Sequence, residues 1–513
     1  MHAKCGKGVA AEWNDWNEIR DKTVNCAKEE LMLKVNMTAQ TSVGLNLLLE
    51  DQLAEIHSAT LQVLNTVGVE VYEQEALQLL KDAGAYADGT RVRIPVRMVQ
   101  EALASAPKSV TLYNRLGEPA CILEKGRIHY GTGSDTPYTI DIETGERRIA
   151  TNKDVENAAK LADALDHIDF VMSLGLSSDV PKEASDVYQY QAMVTNTTKP
   201  IVFTAHDKEG LLAIHEISSV VAGGDRELAQ KPFLALYAEP TSPLLHTQEA
   251  LEKLLACADK EIPLIYVPAT MRGATGPVTP AGSLVVANAE QLSGLVIHQL
   301  KRKGAPFIYG GGTPPMDLKT SICSYGSSER DLGCTSLVKI GQYYNLPTFT
   351  TAGCSDAHVF DQQAGAEAGF NLLIEGLAGG NLIHDSGYIG IGLISSMEML
   401  VLCDETAANV KYYLKGIEVN AETLALDVIK AVGPGGNFLG EVHTVKNFRQ
   451  NRLETQVMNR LNLDTWEAAG AKTFAQRANE RVKKLLAEHE VPQLPAEVLG
   501  RIDEIVARER KHG

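Results

Sequence analysis

Cys354 and His358 lie four residues apart in Leu346-Pro-Thr-Phe-Thr-Thr-Ala-Gly-Cys-Ser-Asp-Ala-His358. A thiol and an imidazole at that spacing meet if the loop turns back or begins a helix, and a cysteine–histidine hydrolase is one chemistry the pair allows. It requires a lowered thiol pKa and a base within reach. Without them, a thiol in an apolar setting is inert. Standard signatures are absent: there is no Walker loop, HExxH, GxSxG or zinc-like Cys/His spacing, and no metal is expected. Gly310-Gly311-Gly312 reads equally as a tight turn or as a place where a ligand approaches the backbone.

These residues need elements to hold them. Short apolar runs recur at Arg127-Ile-His-Tyr, Phe170-Val-Met-Ser-Leu, Pro200-Ile-Val-Phe-Thr, Phe233-Leu-Ala-Leu-Tyr, Pro263-Leu-Ile-Tyr-Val, Pro306-Phe-Ile-Tyr-Gly, Pro347-Thr-Phe-Thr-Thr and Asn381-Leu-Ile-His-Asp. Several follow a proline, which suits a strand's first position. Most lack polar alternation, as parallel strands buried on both faces do. Helix-length segments separate them, so the pattern predicts an α/β fold, a (β/α)8 TIM barrel, over an open doubly wound sheet. The barrel core is assigned to 121–396. A helical N-terminal section (45–120), with short strand-like pieces at Val92-Arg-Ile-Pro and Ser109-Val-Thr-Leu-Tyr beside its helices, precedes it and a C-terminal helical section (397–513) follows. Residues 1–44 read as a flexible arm, with Met32 and Met37 as alternative starts. Lys472 to Lys511 reads as a solvated pair of surface helices.

In such a barrel the chemistry gathers where strands end. Those ends supply Tyr130 to Asp135, Ser177, His206, Glu239, Thr270 with Arg272, Gly310 to Gly312, Cys354 to His358, and His384 with Asp385. A histidine at a strand end, such as His206, is more often a hydrogen-bonded structural residue than a catalyst.

The chain of 513 residues carries a formal charge of −17. That argues against nucleic acid and anionic membranes, and it does not repel a cationic substrate. The eight cysteines, at 5, 26, 121, 257, 323, 334, 354 and 403, show no CxxC pair, so reduced thiols and a cytoplasmic setting are expected. The start of the chain has no apolar h-region, and no run approaches a membrane span. A homo-oligomer is expected.

The segments Gly311-Gly-Thr-Pro-Pro-Met-Asp317, Ser324-Tyr-Gly-Ser-Ser-Glu329, Thr351-Ala-Gly-Cys-Ser-Asp356, Asn381-Leu-Ile-His-Asp385, Gly387-Tyr388 and Ser396-Met-Glu-Met-Leu-Val-Leu402, continued by Gly433-Pro-Gly-Gly and His443-Thr444, give the chain its closest likeness. From about residue 45 onward it resembles the trimethylamine methyltransferase family of corrinoid-dependent enzymes. The resemblance implies a (β/α)8 barrel that moves a methyl group from an N-methylated amine to Co(I) of a corrinoid. That corrinoid is presented by a separate protein docked at the barrel mouth, and this chain itself binds no cofactor tightly. The family's namesake holds pyrrolysine where this chain has Cys354. The departure points to a non-pyrrolysine member acting on quaternary amines, which already carry the charge a leaving amine needs. Glycine betaine, giving dimethylglycine, is the leading substrate; carnitine, γ-butyrobetaine, proline betaine and choline are alternatives, and a non-catalytic quaternary-amine binding protein is a further one. The expected roles are as follows. His358 and Glu239 are catalytic. Gly311, Gly312, Tyr309, His358, Phe349, Tyr130 and Arg272 bind substrate, with Tyr237 and Tyr388 as further candidates for an aromatic cage. His384 and Asp385 face the corrinoid or hold the cage.

Overall fold

The computed structural model describes residues 44–509. The assignment of residues 1–44 as an arm therefore lies almost wholly outside the described residues.

Eight parallel strands form one sheet. They are β1 (His129–Thr132), β2 (Ile168–Phe170), β3 (Ile201–Phe203), β4 (Leu234–Ala238), β5 (Leu264–Tyr266), β6 (Phe307–Gly310), β7 (Thr348–Thr351) and β8 (Leu382–Ser386). β8 pairs with β1 and a parallel bridge between Val171 and Ile201 joins β2 to β3, so the sheet closes on itself. All eight apolar runs became strands. The second begins two residues earlier than the sequence suggests and ends at Phe170.

A helix follows each strand: α1 (Asn152–Ala164), α2 (Ser185–Asn196), α3 (Lys208–Ala222), α4 (Gln248–Lys260), α5 (Pro280–Lys301), α6 (Ser328–Tyr343), α7 (Gln362–Ala378) and α8 (Met397–Leu414). The helix starts are written in the sequence. Asp207, Thr247, Ser327, Asp361 and Ser396 each place a side-chain oxygen on a free backbone N–H of the first turn. α8 completes the eighth unit, so the barrel continues past residue 396 to Leu414.

Side-chain alternation sets the two cores. Val202, Ala235, Ile265, Ile308, Phe349 and Leu382 fill the barrel interior. Their neighbours Phe203, Leu236, Leu264, Phe307 and Tyr309 point outward and pack under the helices. Both faces are buried, which is why the runs show no polar alternation.

The 45–120 section contains strands as well as helices. Its hairpin, Val110–Tyr113 with Pro119–Leu123, pushes Val110, Leu112, Cys121 and Leu123 into the interior cluster. Tyr113 N–H donates to Pro232 O and Arg115 N–H to Thr198 O, both just before strands begin. The hairpin thus plugs the end of the barrel where the strands start. The helix Glu50–Gln62 packs on α5, where Asn288 Nδ2 donates to Thr60 Oγ1 at 3.0 Å. At the other terminus, Phe474–Glu488 lies on α8 and α1 and Ala496–Glu509 on α3 and α2. These two helices bury Ala478, Val482, Ile502, Ile505 and Val506, so the charged pair also forms part of the core's cover. Among the described residues no helix is long and apolar enough to cross a membrane.

The plug carries a measurable share of stability. Leu112 is fully buried in it. Leu112→Ala is expected to destabilise the chain by about 2–5 kcal/mol in urea unfolding, while the exposed Leu116→Ala in the hairpin's turn changes it by less than about 0.5 kcal/mol.

Candidate active site

Alternation continues to the mouth, where the strands end. Tyr237 and Phe349 both face the axis, with ring centroids 5.5 Å apart. His384 from β8 stacks on Phe349 at 4.3 Å and lies 5.9 Å from Tyr237. Glu239, two residues beyond Tyr237 and therefore on the same face, accepts a short hydrogen bond from the Tyr237 hydroxyl. Its carboxylate is reachable by solvent through the mouth. Protein still surrounds most of it, and burial raises its pKa, partly offset by the Tyr237 hydroxyl and by His384. Burial and the Glu239 charge push the Tyr237 phenol well up, so it donates to Glu239.

A second layer is built around Arg330, in the first turn of α6. Its Nη2 donates to Asp385 Oδ2 at 2.9 Å, its Nη1 donates to Cys354 Sγ and to the Tyr325 carbonyl at 3.3 Å each, and its guanidinium lies 4.6 Å from the Tyr325 ring centroid. Asp385 Oδ1 lies 2.9 Å from His384 Nδ1. Burial alone raises the Asp385 carboxyl, but His384 and Arg330 outweigh it and hold the group below its ordinary value. Asp385 sits at φ +80°, a left-handed backbone that a non-glycine residue tolerates only when held from outside. Asp356 ties the loops after β6 and β7 together by accepting Tyr325 N–H at 2.7 Å and Gly326 N–H at 3.1 Å.

Cys354 is fully buried. Its thiol donates to the Tyr325 carbonyl at 3.2 Å. Burial pushes its pKa well up, which Arg330 only partly offsets. It is a protonated, hydrogen-bonded thiol at neutral pH. His358 is exposed and lies beside Gly390. The two do not form a cysteine–histidine pair, and the hydrolase reading has no dyad to stand on.

The other expected residues fall elsewhere. Tyr130 faces outward, is fully buried, and donates to the Leu372 carbonyl of α7 at 2.9 Å. Tyr309 also faces outward and donates to Asn288 Oδ1 at 2.9 Å. Both are one residue out of phase with the axis. Tyr388 packs its ring against Gly133 and bonds Ser134 through its hydroxyl. Arg272 is buried and donates to the Glu329 carbonyl, joining the loop after β5 to the first turn of α6. The glycines serve packing. Gly310 has φ +153° and a Cβ there would sit 1.8 Å from Phe349 O, while Gly311 N–H already donates to that oxygen at 3.0 Å. His206 is exposed, with Nε2 3.0 Å from Ser185 Oγ. Ser177 Oγ bonds Asn152 Oδ1 at 2.7 Å, and Thr270 Oγ1 bonds Glu290 at 3.3 Å. Thus Tyr237, Glu239, Phe349, Cys354, His384 and Asp385 come together.

Sequence reasoning missed Arg330 and Tyr325. Tyr325 lies within one of the segments that carry the family resemblance, and Arg330 follows that segment directly. A second signal was present too: Val202, Ile265, Ile308 and Phe349 each come two residues after a proline and all point inward. Counting on from Pro306 excludes Tyr309 from the axis.

With this geometry in hand, the family model and the sequence relatives agree on one group. The chain matches the family described as trimethylamine methyltransferase (MTTB) over residues 18–513. It is 32% identical over 482 residues to trimethylamine methyltransferase MttB of Desulfitobacterium hafniense (strain DSM 10664 / DCB-2), spanning 94% of this chain and 97% of that one. It is 30% identical over 468 residues to glycine betaine methyltransferase of Desulfitobacterium hafniense (strain Y51), spanning 91% and 97%. The crystal structure of Methanosarcina barkeri monomethylamine methyltransferase superposes with a TM-score of 0.50 at 12% identity over 86% of this chain and 88% of that one, a likeness of fold. The chain belongs to the trimethylamine methyltransferase family and is a methyltransferase.

The site's scaffold is testable apart from its chemistry. Arg330→Met leaves Asp385 charged and buried without its cation, and a loss of about 3–5 kcal/mol in urea unfolding is expected. Cys354→Ala removes the weak hydrogen bonds that Sγ makes with the Tyr325 carbonyl, Arg330 Nη1 and Asn371 Nδ2, and little volume. It is expected to cost about 1 kcal/mol and to leave methyl transfer within a few-fold of the parent.

Proposed function

We propose that this chain takes a methyl group from a quaternary amine, with glycine betaine as the leading substrate, and delivers it to the corrinoid of a separate protein docked at the barrel mouth. The observation that carries this reading is the state of Cys354: buried, protonated and hydrogen-bonded. A tertiary amine must be made cationic before it can leave, and this residue offers neither an electrophile nor an acid for that purpose. A quaternary amine needs no such help, because it departs as a neutral tertiary amine.

The residues at the mouth suit a cation. Tyr237 faces the axis beside the fully buried Phe349, and Glu239 adds an exposed carboxylate. Ring faces hold a trimethylammonium group without hydrogen bonds. Asp385 Oδ1 lies 2.9 Å from Nδ1 of His384, outside hydrogen-bonding geometry, and in this reading His384 Nε2 meets the betaine carboxylate. This role replaces those first considered for His358, Arg272 and the Gly311 N–H group. The Co(I) corrinoid supplies a strong nucleophile for the methyl carbon. What this chain does is hold that carbon in line, orient it and exclude water.

Methylation of a Co(I) corrinoid protein, followed by its absorption spectrum, tests the reading. Glycine betaine is expected to give the methylated spectrum and dimethylglycine. A response to trimethylamine and to none of glycine betaine, carnitine, γ-butyrobetaine, proline betaine or choline defeats it. Glu239→Gln is expected to raise KM roughly ten- to a hundredfold with a smaller change in kcat. The ammonium charge fades as the methyl leaves, so the carboxylate favours bound substrate over the transition state. Ionised Glu239 is the form that binds a cation, and burial raises its pKa. Affinity is therefore expected to be full above that pKa and to fall up to about tenfold per pH unit below it. Calorimetric titration across pH checks this, and Glu239→Gln is expected to flatten the profile.

A further inference from the structure

α5 carries a carboxylate, Glu290, in its middle, fully buried. Its Oε1 accepts Leu244 N–H at 2.7 Å; its Oε2 accepts the Ser242 hydroxyl at 2.8 Å and the Thr270 hydroxyl at 3.3 Å. Among the described residues no cation pairs with it, and burial raises its pKa to about 7 against the pull of those three donors. An isolated buried carboxylate is costly, and an amide fills the same space without that cost.

The donors belong to the mouth. Ser242 and Leu244 sit in the loop after β4, three and five residues beyond Glu239, and Thr270 sits in the loop after β5. The first of these loops is tight. Thr241 and Leu245 exchange two backbone hydrogen bonds, of 2.8 and 3.0 Å, and Leu244 between them stands at φ +60°. A leucine keeps that left-handed backbone only when something outside fixes it, and Leu244 N–H is the group that Glu290 takes. Beyond the turn, His246 is fastened to the same helix, with Nε2 2.8 Å from Oγ of Ser293, three residues on from Glu290. The Glu239 side chain has no such anchor: among the described residues it bonds only the Tyr237 hydroxyl. Its carboxylate goes where the root of the loop goes.

We propose that Glu290 is a positioning residue for the cation site: by drawing the loops after β4 and β5 onto α5, it sets where the Glu239 carboxylate stands at the mouth. This rests on the reading of Glu239 as the group that meets the substrate's ammonium charge. The ionised form accepts from all three donors at once. An amide in its place has one acceptor oxygen and must turn N–H toward hydroxyls that then point elsewhere. Bonds to a charged acceptor are about twice as strong as neutral ones, so the loop is held less firmly without the charge. The fold gains by losing it. Position and stability therefore pull in opposite directions at this residue, which separates it from buried polar groups that serve only the core. The titratable side chains beside it, Tyr266 of β5 and His246 of the loop, stay neutral near pH 7: burial pushes the phenol well up and the imidazole down to about 4.

Steady-state methyl transfer by the full chain to a Co(I) corrinoid protein tests this, with glycine betaine varied, or the amine that the spectral assay selects instead. Glu290→Gln is expected to raise KM about three- to tenfold with kcat within about twofold of the parent. Ser242→Ala, which removes one donor on the loop's side, is expected to raise KM by less. In a Glu239→Gln background Glu290→Gln is expected to change KM little, because the carboxylate it places is gone. Thermal unfolding supplies the second readout. The folded parent holds a proton on Glu290 that the unfolded chain has already lost between about pH 5 and about pH 7, so the parent loses stability as pH rises through that window. Glu290→Gln has no such loss, and its midpoint is expected to gain on the parent's across the window and then level. A Glu290→Gln variant with the parent's KM, when Glu239→Gln raises it, overturns the inference and leaves the reading of Glu239 in place. A fall in kcat together with a lower midpoint at about pH 8 overturns it too, as the mark of a residue serving the fold alone. So does a KM effect undiminished in the Glu239→Gln background. If Glu239→Gln itself leaves KM unchanged, the reading of Glu239 fails and the inference falls with it.

Discussion

Arg330 and Asp385 form an ion pair with almost no water around it, and the mouth of the barrel is arranged by that pair. Desolvating two charges is costly, and the cost is offset only when every remaining donor and acceptor finds a partner. That requirement recruits the neighbours. Arg330's other donor nitrogen reaches Cys354 Sγ and the Tyr325 carbonyl; Asp385's other oxygen faces His384. The loops after β6, β7 and β8 are thereby held to one another. The left-handed backbone at Asp385 is accompanied by a side chain that Arg330 of α6 holds and its neighbour His384 faces. His384 inherits a fixed orientation from this arrangement and stacks on Phe349.

The barrel was legible because its signal is local and repeated. Each strand is a short apolar run, and several are opened by a proline whose missing N–H costs nothing at a first position. The helix starts carry an equally local signal that the sequence reading did not use: a Ser, Thr or Asp oxygen answers a backbone N–H within its own turn. Which strand-end residues face the axis was less legible. Tyr130 and Tyr309 carry a suitable side chain one position out of phase, and a single residue's shift turns a side chain to the opposite face. Tyr237 and Phe349 are in phase. Arg330 was hidden for another reason. In the first turn of a helix a guanidinium ordinarily reads as solvated, and its burial here depends on contacts with Cys354 and Asp385, 24 and 55 residues away. His358 looked important through its closeness to Cys354 in sequence, but the thiol turns inward to the Tyr325 carbonyl while the imidazole stays in solvent.

The two ends of the barrel divide the work. At one end the hairpin from 110 to 123 fills the interior with Leu112 and Leu123, so the barrel is a packed core with no channel through it. The carboxylate of Glu239 and the Tyr237 ring lie at the other end, where the proposed function places the ligand. Under the proposed function, the small cation and the protein partner both use the open end.

Charge at the mouth follows from the reaction itself. In the proposed reaction a quaternary amine enters carrying a full positive charge, and that charge leaves the nitrogen as the methyl group departs. Groups that bind the charge strongly hold the substrate back; groups that bind it diffusely let it go at smaller cost. Aromatic faces are of the second kind. Glu239 is of the first kind, but the Tyr237 hydroxyl bound to it, together with His384, tempers its field. A thiolate at Cys354 would have added a second full negative charge. Burial instead keeps that thiol neutral, and Arg330 is matched by Asp385, so the inner layer presents no net charge to the reacting carbon. The cysteine contributes by staying protonated: it completes Arg330's hydrogen bonds and leaves the field at the mouth to Glu239 and the rings.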